Sequence, residues 1–234
     1  MSNLFPLTMT DCVVRRQGKT VLGPVSLTID RGGPTMIIGP NGSGKTTLLR
    51  VMHGIERLSA GRADWAQNDQ ARQAYVFQSP IVLRRTVADN LRYPLQLIGA
   101  AKTEIEAATA TWLERIGLAD IRDSRASRLS GGERQKLAIA RALIRDPDVL
   151  FLDEPCANLD GHATREIEAL LQDTAASGTR IIMSTHDMGQ ARRLATDVIF
   201  LVAGKVHEQG VASAVLGQPQ TAELRAFLQG DIVV

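Results

Sequence analysis

The chain has 234 residues, 44% of them hydrophobic and 22% charged, with a formal net charge of +2. A chain this long buries roughly 70–75% of the surface it exposes when unfolded, so it needs no disulfide or metal staple. Its composition excludes disorder, collagen and coiled coil as overall descriptions, and the small net charge does not point to nucleic acid. Two cysteines, Cys12 and Cys156, are too few for a disulfide scaffold and suggest a reducing compartment. The longest strictly apolar run near the end covers residues 198–203, against the roughly 20 residues of a membrane-spanning helix. The first six residues lack the basic region of a secretion signal. A membrane role is therefore expected to come through a partner protein. No repeat of 20–50 residues and no low-complexity tract is visible.

In chain order, Cys12-Val13-Val14 and residues 25–29 read as strands separated by Gln17-Gly18-Lys19, with a turn at Asp30-Arg31-Gly32-Gly33. Met36-Ile37-Ile38 leads into a glycine loop and a helix over about 45–52. Residues 74–78 make the next strand candidate. From Thr86 the pattern turns helical. Thr86-x-x-Asp89 resembles a capping box, and Pro94 is expected to limit the helix that follows. Thr103-x-x-Glu106 is expected to start a second helix, carrying Ile105, Ala108, Trp112 and Ile116, with Gly117 as its stop. Ser130-Gly-Gly-Glu133 opens a third, which ends before Pro147. Strands return over 149–152, 181–184, 198–202 and 206–208, with helices between and after them and a short helix near 223–228. The alternation predicts an α/β fold with a mixed, largely parallel sheet, an antiparallel β segment, and a helical lobe of about 85–145 inserted in one domain over 1–234.

The strongest motif is Gly39-Pro40-Asn41-Gly42-Ser43-Gly44-Lys45-Thr46, a P-loop between a strand and a helix. Its glycines let successive N–H groups turn inward on phosphate oxygens, and the helix N-terminus adds positive potential. Lys45 is expected on the β- and γ-phosphates, Thr46 on Mg²⁺, and Thr47 beside them on the helix. A second motif is the apolar run 149–152 followed by Asp153-Glu154, which suits a central parallel strand with two carboxylates at its ligand-facing end. Asp153 is expected to hold Mg²⁺ and Glu154 to polarise an attacking water.

The third motif, Leu129-Ser130-Gly131-Gly132-Glu133-Arg134-Gln135, resembles the signature sequence of ATP-binding cassette (ABC) proteins, and the resemblance extends over nearly the whole chain. Gln78 is similar to the glutamine of that family's Q-loop, Ala157-Asn158-Leu159-Asp160 to its D-loop and His186 to its switch histidine. The resemblance implies an ATPase of the P-loop type using ATP and Mg²⁺, with Lys45, Gln78, Glu154 and His186 catalytic and Thr46, Gln78 and Asp153 at the metal. It also implies a head-to-tail homodimer in which Ser130, Gly131, Gly132, Glu133 and Asp160 cover the nucleotide held by the other chain. A permease would dock near Ser79 to Leu91, placing the protein on the cytoplasmic face of the plasma membrane, with a solute-binding protein as an indirect partner.

Two departures stand out. The stretch before the P-loop, Arg15-Arg16-Gln17-Gly18, lacks the aromatic that usually stacks on adenine; Arg16 is the planar candidate, with weaker base selectivity as the other reading. Cys156 stands where the family commonly has Thr or Ser, and reads as an inert small residue. His53, His162 and His207 receive no role, and Arg84-Arg85 and Arg192-Arg193 read as solvated faces. The run from His186 to Ala195, with Val202-Ala-Gly-Lys205, looks most like ATPases of phosphate- and tungstate-type oxyanion importers. The alternatives are a soluble ABC ATPase acting on nucleic acid or ribosomes and the ATPase of an ABC exporter.

Overall fold

The computed structural model describes residues 4–67 and 69–231, so the start of the segment read as lacking a secretion signal lies outside the described residues. Strands β1 (Leu7–Arg16) and β2 (Lys19–Ile29) form a hairpin. Its two turn residues, Gln17 and Gly18, both have positive φ, 49° and 78°, the backbone a tight two-residue hairpin requires. β3 (Thr35–Ile38) runs through the glycine loop into α1 (Lys45–His53). β4 (Ala60–Trp65) returns to pair with β1, and β5 (Gln73–Val76) follows. Three helices, α2 (Val87–Leu97), α3 (Lys102–Arg115) and α4 (Gly131–Leu143), lie between β5 and β6 (Val149–Asp153). The chain continues as α5 (Gly161–Ala176), β7 (Arg180–Ser184), α6 (Met188–Leu194), β8 (Asp197–Val202), β9 (Lys205–Val211), α7 (Ala212–Gly217) and α8 (Ala222–Gln229).

The strands make two sheets. One is antiparallel, in the order β2-β1-β4; the other has six strands in the order β5-β6-β7-β3-β8-β9, parallel except for β9. Side chains alternate across a strand, and here that alternation divides the core in two. Leu150 and Leu152 of β6, Ile181 and Met183 of β7, and Met36 and Ile38 of β3 face a core shared with α2, α4, α5 and α6. Val149, Phe151, Ile182 and Ile37 face the other way, onto α1 and the antiparallel sheet. All of these side chains are buried, which explains why β6 reads as a continuous apolar run.

Three expectations need correction. Pro94 does not limit its helix: α2 continues through it to Leu97. An interior proline costs about 3 kcal/mol, and burial of Leu91 and Leu95 offsets that at about 1.5–3 kcal/mol each. Thr103 does not cap α3, whose N-cap is Ala101 without a side-chain bond. Glu106 instead accepts two parallel hydrogen bonds from Arg92 of α2, at 2.9 and 2.8 Å, and so ties α2 to α3. Arg193 is not simply solvated: it donates twice to Glu168, a carboxylate 7% exposed, and joins α6 to α5. By contrast, Thr86 caps α2 as expected, accepting the Asp89 N–H at 3.0 Å.

Candidate active site

The glycine loop leaves β3 at Gly39, where the chain passes close to the neighbouring strand. A Cβ at Gly39 would lie 2.0 Å from the Leu201 carbonyl oxygen, so only glycine fits. Gly44 caps α1 with φ 103°, in the left-handed region. The Ser43 hydroxyl is buried in this loop with no hydrogen-bond partner among the described residues. Lys45 is buried as well. Its ammonium donates to the carbonyls of Gly39 at 2.9 Å and Pro40 at 3.1 Å, and lies 3.5 Å from Glu154 Oε1.

The end of β6, which β7 separates from β3 in the parallel sheet, brings two carboxylates to the same edge as this loop. Asp153 ends β6 and is buried. Its Oδ1 accepts from Thr46 Oγ1 at 2.9 Å and from Ser184 Oγ at 2.8 Å, and Tyr75 reaches Oδ2 at 3.5 Å. Burial pushes the Tyr75 phenol well above its ordinary pKa, with the nearby Asp153 charge as a second cause, so it stays a donor. Glu154 follows with φ 45°, a left-handed conformation uncommon outside glycine. Its Oε2 meets Gln78 Nε2 at 3.3 Å and His186 Nδ1 at 3.1 Å. Lys45, Gln78 and His186, from three separate segments, thus converge on one carboxylate.

These groups line a cleft of about 660 Å³. Arg16 and Val21 of the hairpin, Asn41, Gly42, Gly44, Lys45, Thr46 and Thr47 of the loop and helix, and Gln78, Glu154 and His186 all border it. Ala157 and Asn158, read from the sequence as part of a D-loop but given no site role of their own, border it too; Asn158 has φ 62°. The Arg16 guanidinium donates to Glu56 Oε2 at 2.6 Å, which fixes it at the cleft wall. Thr46, which borders the cleft, and the buried Asp153 in direct contact with it are the hard oxygen ligands that Mg²⁺ prefers.

Ser130, Gly131, Gly132 and Glu133 do not border this cleft. Ser130 and Gly131 are exposed, and the start of α4 is closed by a complete capping box. The Ser130 N–H donates to Glu133 Oε2 at 2.8 Å, and the Glu133 N–H donates to Ser130 Oγ at 3.3 Å. Bonds from Ser130 hold the Glu133 carboxyl below the usual range. Asp160 also caps its own helix, accepting the His162 and Ala163 N–H groups at 2.9 and 2.8 Å.

A family model described as ABC transporter matches residues 22–157, more than half of the chain. The chain belongs to the ABC transporter family. As an ABC ATP-binding subunit it binds nucleotide and is an ATPase. It is 40% identical over 196 residues to the tungstate uptake system ATP-binding protein TupC of Peptoclostridium acidaminophilum, covering 82% of this chain and 92% of that one. It is 38% identical over 239 residues to the phosphate import ATP-binding protein PstB 2 of Natronomonas pharaonis, covering 92% and 84%. Other ABC relatives are named for methionine import and for arginine and ornithine transport. Among solved structures, cbiO1 from Clostridium perfringens, described as part of the ABC transporter complex cbiONQ, superposes with a TM-score of 0.81 at 28% identity. That match covers 91% of this chain and 90% of the other. Among the described residues of this ABC subunit, no helix is long and apolar enough to cross a membrane. Cys156 packs half-buried beside the core, and burial pushes its thiol up to about 11, so it stays protonated.

Proposed function

We propose that this subunit hydrolyses Mg-ATP to drive a membrane importer, with an oxyanion such as tungstate, molybdate or phosphate as cargo. The observation that carries the hydrolytic reading is the convergence of Lys45, Gln78 and His186 on Glu154, beside the Thr46–Asp153 pair. Backbone N–H groups of the loop and the start of α1 bind the phosphates, and the Lys45 ammonium neutralises them. Thr46, Asp153 and the amide oxygen of Gln78 are the residues that would hold Mg²⁺. When bound, that ion supplies positive charge to the phosphate oxygens. Glu154 accepts a proton from the attacking water, and Gln78 and His186 orient that water against it. Arg16 stacks on the base, and its bond to Glu56 keeps the guanidinium plane fixed for that contact.

The signature residues Ser130, Gly131, Gly132 and Glu133, with Asp160, act on the nucleotide of a second copy of the chain. The exposure of Ser130, Gly131 and Asp160, and the position of all five outside the cleft of their own chain, support that reading. The lobe formed by α2 to α4 belongs to the same single domain, and the permease docks beside it. A groove of about 330 Å³ lined by Ile81, Leu83, Tyr93 and Leu97 supports that surface; Ile81 and Leu97 are more than 60% exposed. Through the permease the protein sits on the cytoplasmic face of the membrane, and a solute-binding protein delivers the cargo. The names of the tungstate and phosphate relatives favour an oxyanion.

Glu154→Gln tests the chemistry. It keeps the side-chain shape and removes the base, so ATP should still bind while hydrolysis falls about 10²-fold or more. Hydrolysis at the wild-type rate would overturn the assignment. For the cargo, ATPase activity reconstituted with the subunit's own permease and binding protein should be stimulated by tungstate, molybdate or phosphate. Stimulation by an amino acid or sugar alone would overturn the oxyanion reading.

A further inference from the structure

Ser184 ends β7 directly opposite Asp153 in the parallel register, and its side chain is fully buried. Nothing in the sequence motifs singles it out. Its hydroxyl donates to Asp153 Oδ1 at 2.8 Å and accepts the Glu154 N–H at 3.0 Å. A hydroxyl has one proton and two lone pairs, so both bonds form together without competing. The Ser184 carbonyl oxygen shares the same Glu154 N–H, at 3.2 Å. One residue therefore grips the metal-side carboxylate by an oxygen and the water-side residue by its backbone.

Both grips act on groups that need holding. Asp153 Oδ1 already receives the Thr46 hydroxyl, so a second donor on the same oxygen fixes the carboxylate rotamer. Glu154 occupies a left-handed backbone conformation, which persists in a non-glycine residue only when its surroundings enforce it. The N–H that Ser184 accepts is the anchor next to that dihedral.

We propose that Ser184 is a positioning residue for hydrolysis, setting Asp153 and Glu154 relative to one another through a single hydroxyl. The proposal rests on the roles given above to Asp153 and Glu154. It goes beyond them in predicting that loss of this hydroxyl slows turnover while leaving the nucleotide pocket intact.

The test uses Ser184→Ala and Ser184→Thr in the full chain. Ser184→Ala should lower kcat about tenfold, the loss that goes with one hydrogen bond to a charged group, and change KM for ATP by less than twofold. The Mg²⁺ concentration at half-saturation, read by fluorescence of a bound ATP analogue without turnover, should rise severalfold. Ser184→Thr, which keeps the hydroxyl, should restore both values to within about threefold. In a Glu154→Gln background the further loss in kcat from Ser184→Ala should shrink to less than twofold, because the two residues act as a unit. The inference is overturned if Ser184→Ala leaves kcat and the Mg²⁺ midpoint unchanged. It is overturned equally if kcat and KM move together, if Ser184→Thr fails to rescue, or if the losses simply multiply. Normal hydrolysis by Glu154→Gln would instead overturn the parent reading.

Discussion

The two ends of the nucleotide machinery are built differently. Around Lys45, Asp153 and Glu154, the functional groups hold one another: ammonium to carbonyl, hydroxyl to carboxylate, imidazole and amide to one glutamate. That end is assembled by four segments of one chain, and most of it is buried or enclosed by the cleft. The start of α4 contacts none of these groups. Its bonds are local, within the Ser130–Glu133 capping box, and Ser130 and Gly131 face outward. A site whose groups are already interlocked binds as the chain folds it. On the two-chain reading proposed above, the capped and outward-facing start of α4 is finished as structure and would complete a site only on the nucleotide of a second copy.

The comparison breaks most directly at Lys45. Lys45→Ala removes both the cation for the phosphates and the brace on Gly39 and Pro40, so Mg-ATP affinity should fall by at least about 10²-fold in isothermal titration. Affinity like that of the wild type would mean the cleft does not use this loop. At the other end, Ser130→Arg should spare nucleotide binding by the monomer and abolish assembly. On the Glu154→Gln background, where ATP persists, the parent should elute as a dimer with Mg-ATP in size-exclusion chromatography and the Ser130→Arg variant as a monomer. A dimer in both would show that α4 does not complete the second chain's site.

The smallest effect concerns the capping box as structure alone. Ser130 holds the Glu133 carboxyl below its ordinary pKa, so the folded value lies under the unfolded one. Its contribution is therefore present above the usual carboxylate range and lost as pH falls through the folded value. Glu133→Gln should lower Tm near pH 7 by about 2–4 °C at most. The gap should close as pH falls below the usual carboxylate range, which thermal melts from neutral to acid pH would read. A gap that stays constant with pH would mean the carboxylate charge contributes nothing.

What the sequence disclosed follows the same division. Glycines, lysine and threonine at fixed spacing announce the loop because phosphate binding demands those types in that order. Residues 149–152 read as a central strand because both faces of β6 are buried. Pro94 and Thr103 misled because each was judged by local rules: burial of Leu91 and Leu95 carries α2 past its proline, and Arg92 claims Glu106 from across the lobe. β4, on a sheet edge, alternates only over Arg62-Ala63-Asp64-Trp65 and has no β-branched run to reveal it. The six-residue α7 is too short to show a period. Ser184 and Tyr75 were invisible as site residues because their relevance comes only from β5, β6 and β7 lying side by side.

The shape of the glycine loop is enforced by the chain's own cation, with the Lys45 ammonium drawn between two loop carbonyls and Glu154. The ordering entropy that a flexible loop would lose on meeting a phosphate chain has therefore been settled during folding. Less of the affinity of each ATP is consumed in shaping its own pocket, and in the proposed two-chain assembly correspondingly more of it would be left over for drawing the subunits together.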